Sequence, residues 1–405
     1  MTENITDRFN LHALFSGMLP LFVLAHFAHH LLTALPVPLL PMIRTDFALN
    51  YTQSGLLISA FSLSYGIGQI PAGWLADRIG PRILITMGIS GVAVAGLFVG
   101  LSPAYHLIIV SLILMGLLGG GYHPAAPSLI STSVEPKVLG RSLGLHLVGG
   151  SASYFLAPLM SITIATVWGW RGSFMGLAVP TVIFGVIFYH ILGRRERKGV
   201  EKPVVTESHK ETQTVSGGYH DLVVLIILTA FTSATLVSTI SFIALFLVDN
   251  FGVNEKTAAA SLSIIYSAGL WAAPSGGYLS DRLGKIPVIL AVCFIAGPFI
   301  CMLNLIPYGA GTWILLLALG ISLSVRMPVI ESYIVSHTSV SNRSTILGIY
   351  YFSAMEGGGV LTPIMGHLID RFGFYTSFTL AGAALFIVSL ICSVWLWGNR
   401  KKNLL

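Results

Sequence analysis

Two stretches of the chain, 204 residues apart, carry the same order of glycine, aspartate and basic residues. The first reads GWLADRIGPRILI at residues 73–85, and the second reads GYLSDRLGKIPVI at residues 277–289. Each is a short charged segment between two long apolar runs, and the offset is about half of the 405 residues. A repeat on this scale predicts two halves of similar design.

These two segments, which we call the Asp-Arg hairpins, contain the residues expected to act as a conformational switch. Gly80 and Gly284 permit a tight turn, and the charges beside them are expected at a membrane edge. Asp77 is predicted at a helix C-terminus, where the helix dipole disfavours an anion, so it should interact with a partner elsewhere. The complete set is Gly73, Asp77, Arg78, Gly80 and Arg82 in the first half, and Gly277, Asp281, Arg282 and Gly284 in the second.

The composition indicates a protein that is solvated mainly by lipid. Apolar residues make up 54% of the chain and charged residues 9%, whereas soluble domains carry roughly 25% charged residues. The formal net charge is +6, but Lys and Arg fall in short gaps between apolar runs and do not pattern with aromatic residues on a polar face. Nucleic acid is therefore not expected as a partner, and the lipid bilayer is.

A membrane-spanning helix needs about 20 apolar residues, and the sequence offers twelve candidates. They cover residues 11–35, 51–72, 83–101, 105–131, 139–167, 172–193, 221–247, 257–280, 286–306, 310–336, 344–368 and 374–398. We predict an all-α integral membrane fold of twelve transmembrane helices in two pseudo-symmetric six-helix bundles. The N-terminal bundle covers residues 1–193, a polar cytoplasmic connector covers 194–220, and the C-terminal bundle covers 221–405.

The distribution of basic residues predicts the orientation. If the N-terminus, both hairpins, the connector and the C-terminus share one side, that side holds 17 of the 22 Lys and Arg residues. The opposite loops hold four, namely Arg44, Arg171, Lys256 and Arg371. By the positive-inside rule, both termini are cytoplasmic in a multi-pass protein of the inner cell membrane. The first apolar run lacks a small-residue cleavage site and is interpreted as an uncleaved span.

Glycine and proline occur inside several predicted spans. Three consecutive glycines at residues 119–121 are expected to interrupt span 4, and three at residues 357–359 to soften span 11. Two interpretations stay open: small residues that let helices pack closely, or hinges for the rocking of one half against the other.

The hairpin pattern resembles the loop between helices 2 and 3 of the major facilitator superfamily, Gly-x-Leu-x-Asp-Arg-x-Gly-x-Arg/Lys. The turn GWRGSF at residues 169–174 is similar to one common between helices 5 and 6 of that family. The resemblance implies the twelve-helix fold. The segment YHPAAPS at residues 122–128, followed by Gly149, Gly150 and Pro158, looks like the fosmidomycin-resistance-type branch. That likeness implies proton-driven export of small, often anionic compounds.

Ionisable residues inside apolar spans are costly and usually functional, so they indicate the substrate site. Arg326 is the strongest candidate, because an arginine in the membrane needs a carboxylate, a water-filled cavity or an anionic ligand. Two interpretations stay open: a structural pair with Glu331 or Glu356, or the binding of a substrate anion. The residues predicted to contact the substrate are Arg326, His123, Tyr65, Gln69, His30, His146 and Tyr350.

Proton coupling is predicted for Glu356, Glu331 and His29. The two glutamates are the only acidic residues well inside spans, and Glu356 is the favoured proton carrier, with structural pairing as the competing role. His29 lies with His26 and His30 on one helix face, and imidazole titrates near physiological pH. A hydrogen-bonded core role competes for each histidine.

No metal site, cofactor or catalytic centre is expected. Span 1 offers three histidines but no Asp or Glu, and the chain has no His-Glu-x-x-His motif. The nucleotide-binding pattern Gly-x-x-x-x-Gly-Lys-Ser/Thr is also missing, so the proton gradient is the expected energy source. The three cysteines, all in apolar runs, imply no disulfide framework.

The leading hypothesis is a proton-coupled secondary active transporter, a monomer that exports a small organic anion or drug by alternating access. The first alternative is a proton symporter that imports an organic acid or a sugar derivative through the same residues. The second is a non-transporting membrane receptor on the same fold, which predicts no substrate-induced proton flux.

Overall fold

The computed structural model describes residues 18–131, 139–197, 219–338 and 340–402. These residues form helices joined by short turns, without a β-strand among them. The helices of the first half are α1 (Leu19–Thr33), α2 (Pro36–Phe47), α3 (Tyr51–Ile79), α4 (Pro81–Thr86), α5 (Val92–Leu101), α6 (Tyr105–Gly119), α7 (Tyr122–Ser131) and α8 (Leu139–Arg197). Those of the second half are α9 (Tyr219–Phe251), α10 (Glu255–Ser267), α11 (Ala272–Leu283), α12 (Lys285–Met302), α13 (Ala310–His337) and α14 (Val340–Lys402).

The described helices account for twelve membrane spans. Eight helical stretches are long and apolar enough to cross a bilayer. Two of them, in α8 and α14, contain two spans each, because Gly169 (φ 68°) and Gly373 (φ 74°) break the helix. The remaining two spans are α3 and the pair α10–α11. The predicted all-α membrane fold is confirmed.

Several helices extend beyond the predicted spans. Predicted span 1 ends at residue 35, but the chain continues in α2 to Phe47, because Pro36 takes the first helical position, where no N–H is needed. Helix α3 runs on to Ile79, and α8 runs four residues into the predicted connector. The rest of that connector, 198–218, and residues 1–17 lie outside the described residues.

The two Asp-Arg hairpins have the same backbone conformation. Gly80 has φ 86° and ψ 146°, and Gly284 has φ 90° and ψ 148°. Each glycine follows the last residue of one helix and precedes the first residue of the next. Residues with a Cβ rarely adopt this region, so the tight turn predicted for both halves is confirmed.

Replacing Gly80 or Gly284 with alanine is expected to lower the free energy of unfolding by about 1–3 kcal/mol, because a Cβ strains the backbone at positive φ. The matched control is Gly277→Ala, since Gly277 lies inside α11, where an added Cβ meets no atom within 4 Å. A Cβ at Gly80 is equally free of neighbours, so the two variants differ in backbone conformation and not in side-chain contacts. Thermal unfolding of the purified proteins measures the difference, and equal midpoints would contradict the prediction.

The two halves approach each other closely along α3 and α14. A Cβ added at Gly55 would lie 2.8 Å from the carbonyl oxygen of Thr362. A Cβ added at Gly66 would overlap the carboxyl group of Glu356. Small residues let helices in membranes pack backbone to backbone, so the glycines of α3 set the distance between the halves.

Polar side chains from both halves meet where α3 begins, at the end of the molecule opposite the hairpins. Arg44 forms an ion pair with Asp249 at 2.8 Å, and the Tyr51 hydroxyl donates to the same carboxylate at 2.5 Å. Asp370 accepts hydrogen bonds from the backbone N–H groups of Tyr51 and Thr52 at 2.9 and 2.8 Å. We call these five residues the end cluster; they hold the halves together at this end.

Among the described residues, buried apolar side chains of the two halves join in one cluster on the side of the end cluster. There, one cluster of buried side chains contains Leu49 from the first half and Phe374 from the second. Toward the hairpins, the described core divides into two separate clusters, one around Ile85 and one around Ile289. The halves are therefore packed together at one end, and toward the other end their described buried side chains form separate clusters.

Candidate functional site

Five histidines come together inside the first half. His26, His29 and His30 lie on one face of α1, His123 is the second residue of α7, and His146 lies on α8. His123 is half-buried and the other four are buried. The break that separates α6 from α7, at the predicted glycines, places the start of α7 deep in the bundle. We call these residues the histidine cluster.

His29 is hydrogen-bonded at both ring nitrogens. Its Nδ1 donates to the carbonyl oxygen of Gly88 at 2.6 Å, in a π-helical turn between α4 and α5. Because a carbonyl can only accept, the proton is on Nδ1, and Nε2 accepts from the Tyr65 hydroxyl at 2.9 Å. The ring also stacks on Tyr122, with centroids 4.3 Å apart. This is the geometry of a fixed core residue, and its predicted role in proton coupling stays a prediction.

His26 and His146 stack face to face, with ring centroids 4.2 Å apart. The Nδ1 of His26 donates to the carbonyl oxygen of His146 at 2.7 Å, and the Nδ1 of His146 donates to that of Phe22 at 3.0 Å. These two bonds leave a lone pair on each Nε2. The Nε2 of His26 is buried and meets no hydrogen-bond partner among the described residues.

His30 and His123 both face His26. The centroid of the His123 ring lies 5.2 Å from that of His30 and 5.3 Å from that of His26. One ring nitrogen from each of the three histidines lies within 4.8 Å of the other two. The three rings therefore converge on one small volume.

Glu356 of the second half adjoins this cluster across the contact between the halves. The residue is 5% exposed, and neither carboxyl oxygen has a hydrogen-bond partner among the described residues. It lies against Gly66 and close enough to Tyr65 to interact electrostatically with its hydroxyl. Tyr65 donates to His29, so Glu356 lies near the part of α3 that contacts the histidine cluster.

Arg326 belongs to a separate group inside the second half. It is 3% exposed, and its Nη1 donates to the carbonyl oxygen of Thr229 on α9 at 2.9 Å. It also hydrogen-bonds with Tyr350, which in turn interacts electrostatically with Glu331. The Nε of Arg326 is buried and has no partner among the described residues.

The structure thus divides the predicted substrate residues between the two halves. One interpretation of Arg326 is a structural pair with Glu331 or Glu356. The pair with Glu356 is not formed in this conformation, because Glu356 faces Gly66 while Arg326 contacts Thr229 and Tyr350. Gln69 lies half-buried on α3, one turn beyond Tyr65. An apolar groove lined by Phe155, Leu159 and Trp313 includes none of the predicted site residues.

The basic residues of the hairpins stack on aromatic rings. Arg78 lies 4.1 Å over the ring of Trp74, and Arg282 lies 4.7 Å over the ring of Tyr278, four positions earlier in both cases. The aromatic residue at this spacing is the sequence signal for the contact, and the prediction did not use it.

Two further hairpin basic residues are held by neighbouring helices. Arg82 lies 3.7 Å over the ring of Tyr189 and donates from Nε to its carbonyl oxygen at 2.9 Å. Lys285 donates to the carbonyl oxygen of Ser332 at 2.9 Å. Gly73 and Asp77 belong to α3, and the surroundings of both residues lie outside what the structure describes.

Two residues of the site were not predicted. His26 faces His30 one helical turn away, and that spacing was the available signal, but nothing in the sequence showed that the carbonyl of His146 would fix its ring. Gly66 was missed because its role depends on Glu356, which is 290 positions away.

The chain matches the profile of one protein family, described as the Major Facilitator Superfamily, over residues 22–325 and again over residues 225–404. The chain belongs to the Major Facilitator Superfamily. Its relatives in this superfamily are transporters, so the chain is a multi-pass membrane transporter and not an enzyme.

The curated relatives are distant and differ in their described roles. The uncharacterized MFS-type transporter YceJ of Bacillus subtilis (strain 168) is 23% identical over 366 residues, 88% of this chain and 90% of YceJ. The multidrug resistance protein MdtG of Citrobacter koseri is 27% identical over 358 residues, 86% of this chain and 85% of MdtG. The probable L-galactonate transporter of Escherichia coli (strain K12) is 28% identical over 174 residues, 43% of this chain and 38% of that protein.

Solved structures of the same fold cover nearly the whole chain. A bacterial homolog of the human lysosomal transporter Spinster, inward-facing and unoccupied, aligns with a TM-score of 0.74 at 17% identity, over 94% of this chain and 95% of that one. A POT family transporter in complex with 5-aminolevulinic acid aligns with a TM-score of 0.77 at 14% identity, over 93% and 95%. At these identities the likeness shows the fold alone.

Proposed function

We propose that this chain is a proton-coupled secondary active transporter that exports a small organic anion or drug by alternating access. The observation that carries the proposal is Glu356, a buried carboxyl group that packs against Gly66 at the contact between the halves and accepts no hydrogen bond from any described side chain. An ionised carboxylate in that setting is costly, so the group is expected to keep its proton in this conformation. When the halves separate along α3 and α14, water reaches the carboxyl group and accepts the proton.

The division of the core supports alternating access. The end cluster and the shared apolar core join the halves at the predicted outer end, and the core divides toward the predicted cytoplasmic end. A rocking motion that broke the end cluster and joined the halves near the hairpins would expose the centre to the other side.

Arg326 supports an anionic substrate. An arginine keeps its charge at every physiological pH, and no described carboxylate forms an ion pair with Arg326. Its buried Nε is available to an acceptor. A carboxylate or phosphonate would supply both the missing acceptor and the missing negative charge.

Export is supported by similarity to MdtG, whose name describes multidrug resistance, over 86% of this chain. Import stays the alternative, because a protonated carboxyl group serves symport and antiport alike.

The test uses purified protein in liposomes with a pH-sensitive dye inside and an imposed proton gradient. Phosphonates, carboxylates and lipophilic cations are added in turn. We expect one of the anions to drive a proton flux in the direction opposite to its own movement across the membrane. A flux in the same direction would replace export by symport, and an anion that binds without any flux would favour the receptor.

Replacing Arg326 with alanine is expected to weaken binding of the anion by about 10- to 150-fold, because a hydrogen bond to a charged group contributes about 1.5–3 kcal/mol. The affinity of Arg326→Lys for the anion should lie between those of wild type and Arg326→Ala, since lysine keeps the positive charge but lacks the planar guanidinium group. The matched control is Arg371→Ala, which removes an exposed arginine of the same half. Binding of the anion to protein in detergent measures the effect. Unchanged affinity in Arg326→Ala, with transport of lipophilic cations in wild type, would favour a multidrug pump for cations.

A further inference from the structure

We propose that His26, His30 and His123 form a binding site for a divalent first-row transition-metal ion of the Zn²⁺ type. The proposal does not rest on transport, because metal binding can be measured without a gradient or a substrate. The sequence prediction of no metal site considered the ligands within span 1 and one local motif. The fold adds a third imidazole from α7, a part of the chain about 90 residues away.

The spacing of the ring nitrogens fits a small ion after a modest side-chain movement. The three ligand atoms lie within 4.8 Å of one another. Zn²⁺ binds imidazole nitrogen at about 2.1 Å, so two ligands of a tetrahedral site lie about 3.4 Å apart. The rings therefore have to close by at most about 1.4 Å, which rotation about the side-chain bonds supplies.

The hydrogen bonds place His26 in the tautomer that a metal requires. Its Nδ1 donates to the carbonyl oxygen of His146, so Nε2 carries the lone pair. Histidines that bind metals usually donate their other nitrogen to a carbonyl or carboxylate in this way. The lone pair of Nε2 is buried and meets no donor among the described residues.

The ring of His30 is restrained by Thr33. The Thr33 hydroxyl donates to the carbonyl oxygen of His30 at 3.3 Å and lies 3.2 Å from its Nδ1. The contact engages Nδ1 and leaves Nε2 as the ring nitrogen of His30 that meets no hydrogen-bond partner among the described residues. His123 has no hydrogen bond with any described residue, so both of its nitrogens are available.

The other two histidines of the cluster, His29 and His146, are used in hydrogen bonds and are not part of the proposed metal site. His29 has both nitrogens hydrogen-bonded, to Gly88 and Tyr65, and needs no further ligand. His146 supplies the carbonyl that fixes His26. Three converging imidazole nitrogens without a matching set of donors favour zinc, copper, nickel or iron over the oxygen-binding calcium and magnesium.

Three neutral imidazoles leave one coordination position open and two positive charges uncompensated. No described carboxylate joins the three histidines in the group. A buried dication without an anion is costly, so the fourth ligand is expected to be an anion or a hydroxide. We therefore expect metal affinity to rise when a small anionic chelator such as a hydroxamate is added.

The experiment uses full-length protein in nanodiscs, purified with a tag free of histidine and stripped with a chelator. Co²⁺ is titrated because tetrahedral Co²⁺ absorbs visible light strongly, and Zn²⁺ is then added to displace it. We expect one ion per chain with a tetrahedral spectrum. His123→Ala should weaken metal affinity by more than about 100-fold, because loss of a ligand should exceed the 10- to 100-fold effect typical of a residue that only hydrogen-bonds to a ligand. Thr33→Val, which changes such a residue, should weaken it by about 10-fold.

Two controls separate loss of the site from loss of the fold. His106→Ala removes an exposed histidine and should leave the spectrum and affinity unchanged. Thermal unfolding without metal should agree between wild type and His123→Ala, whereas Zn²⁺ should raise the midpoint of wild type only. An octahedral or absent Co²⁺ spectrum in wild type, or equal affinity in His123→Ala, would overturn the proposal and make the cluster a hydrogen-bonded core.

Discussion

Replacing Glu356 with glutamine is expected to reduce substrate-driven proton flux to the background of empty liposomes while substrate exchange continues. Glutamine imitates the protonated carboxyl group in size and charge, so the halves can still approach at Gly66 and still separate. It cannot release a proton, so movement of the substrate is no longer linked to the proton gradient. The variant changes proton coupling, and we expect its fold and its substrate contacts to stay intact.

The measurement compares two assays on the same liposomes: dye-reported proton flux, and exchange of labelled for unlabelled substrate without a gradient. The matched control is Glu331→Gln, the other carboxyl group well inside a span. If Glu356 is the proton carrier, the control keeps both activities. Loss of proton flux in Glu331→Gln with normal flux in Glu356→Gln would transfer the role to Glu331, and loss of both assays in Glu356→Gln would indicate a structural role.

Replacing Asp370 with alanine is expected to shift the protein toward a conformation that is open at the end cluster. Asp370 accepts two backbone N–H groups at the start of α3 and the Thr52 hydroxyl, the last at 2.5 Å. The N–H groups of Gln53 and Ser54 donate to Asn50 within the same half. The first turn of α3 therefore depends on the other half for only the two backbone hydrogen bonds to Asp370. These three charge-assisted bonds lie at an exposed site, so together they contribute at least about 1 kcal/mol after screening. Their loss should raise the population that is open at the end cluster by at least about fivefold.

Labelling of a single cysteine measures that shift. Phe242 is buried beside the Tyr51 ring of the other half, so Phe242→Cys in a cysteine-free background should react with an impermeant maleimide only when this end opens. We expect labelling to be at least about fivefold faster with Asp370→Ala. The control is Asp46→Asn, which removes the ion pair between Asp46 and Arg171 within the first half. Equal rates for the two variants would contradict the assignment of Asp370 as a contact between the halves.

The sequence predicted the elements that depend on local composition. Runs of apolar residues located the twelve spans, and the glycines with positive φ, Gly169 and Gly373, fall in the gaps predicted between spans 5 and 6 and spans 11 and 12. The common turn at Gly80 and Gly284 followed from the repeat itself. These features are determined by neighbours in the chain, which a single sequence shows.

Contacts between distant segments were not predictable in the same way. The glycines at residues 357–359 were expected to soften span 11, yet α14 is continuous through them, and a Cβ at Gly358 would lie 2.8 Å from Val237 of α9. Of the two interpretations, close packing describes this stretch. The partners of Arg326 and Glu356 likewise depend on how helices pack, and an isolated charge in a span shows only that some partner is needed.

Gly66 and Glu356 form a steric pair, and this has a consequence for related sequences. A side chain at position 66 and a glutamate at position 356 cannot occupy the same space in this conformation. We therefore expect the two positions to covary among homologues: a residue larger than glycine at the first should occur only with a shorter, non-acidic residue at the second. Chains that carry such a double replacement would lack the proposed proton carrier, and an alignment would identify them as candidates for uncoupled transport before any assay.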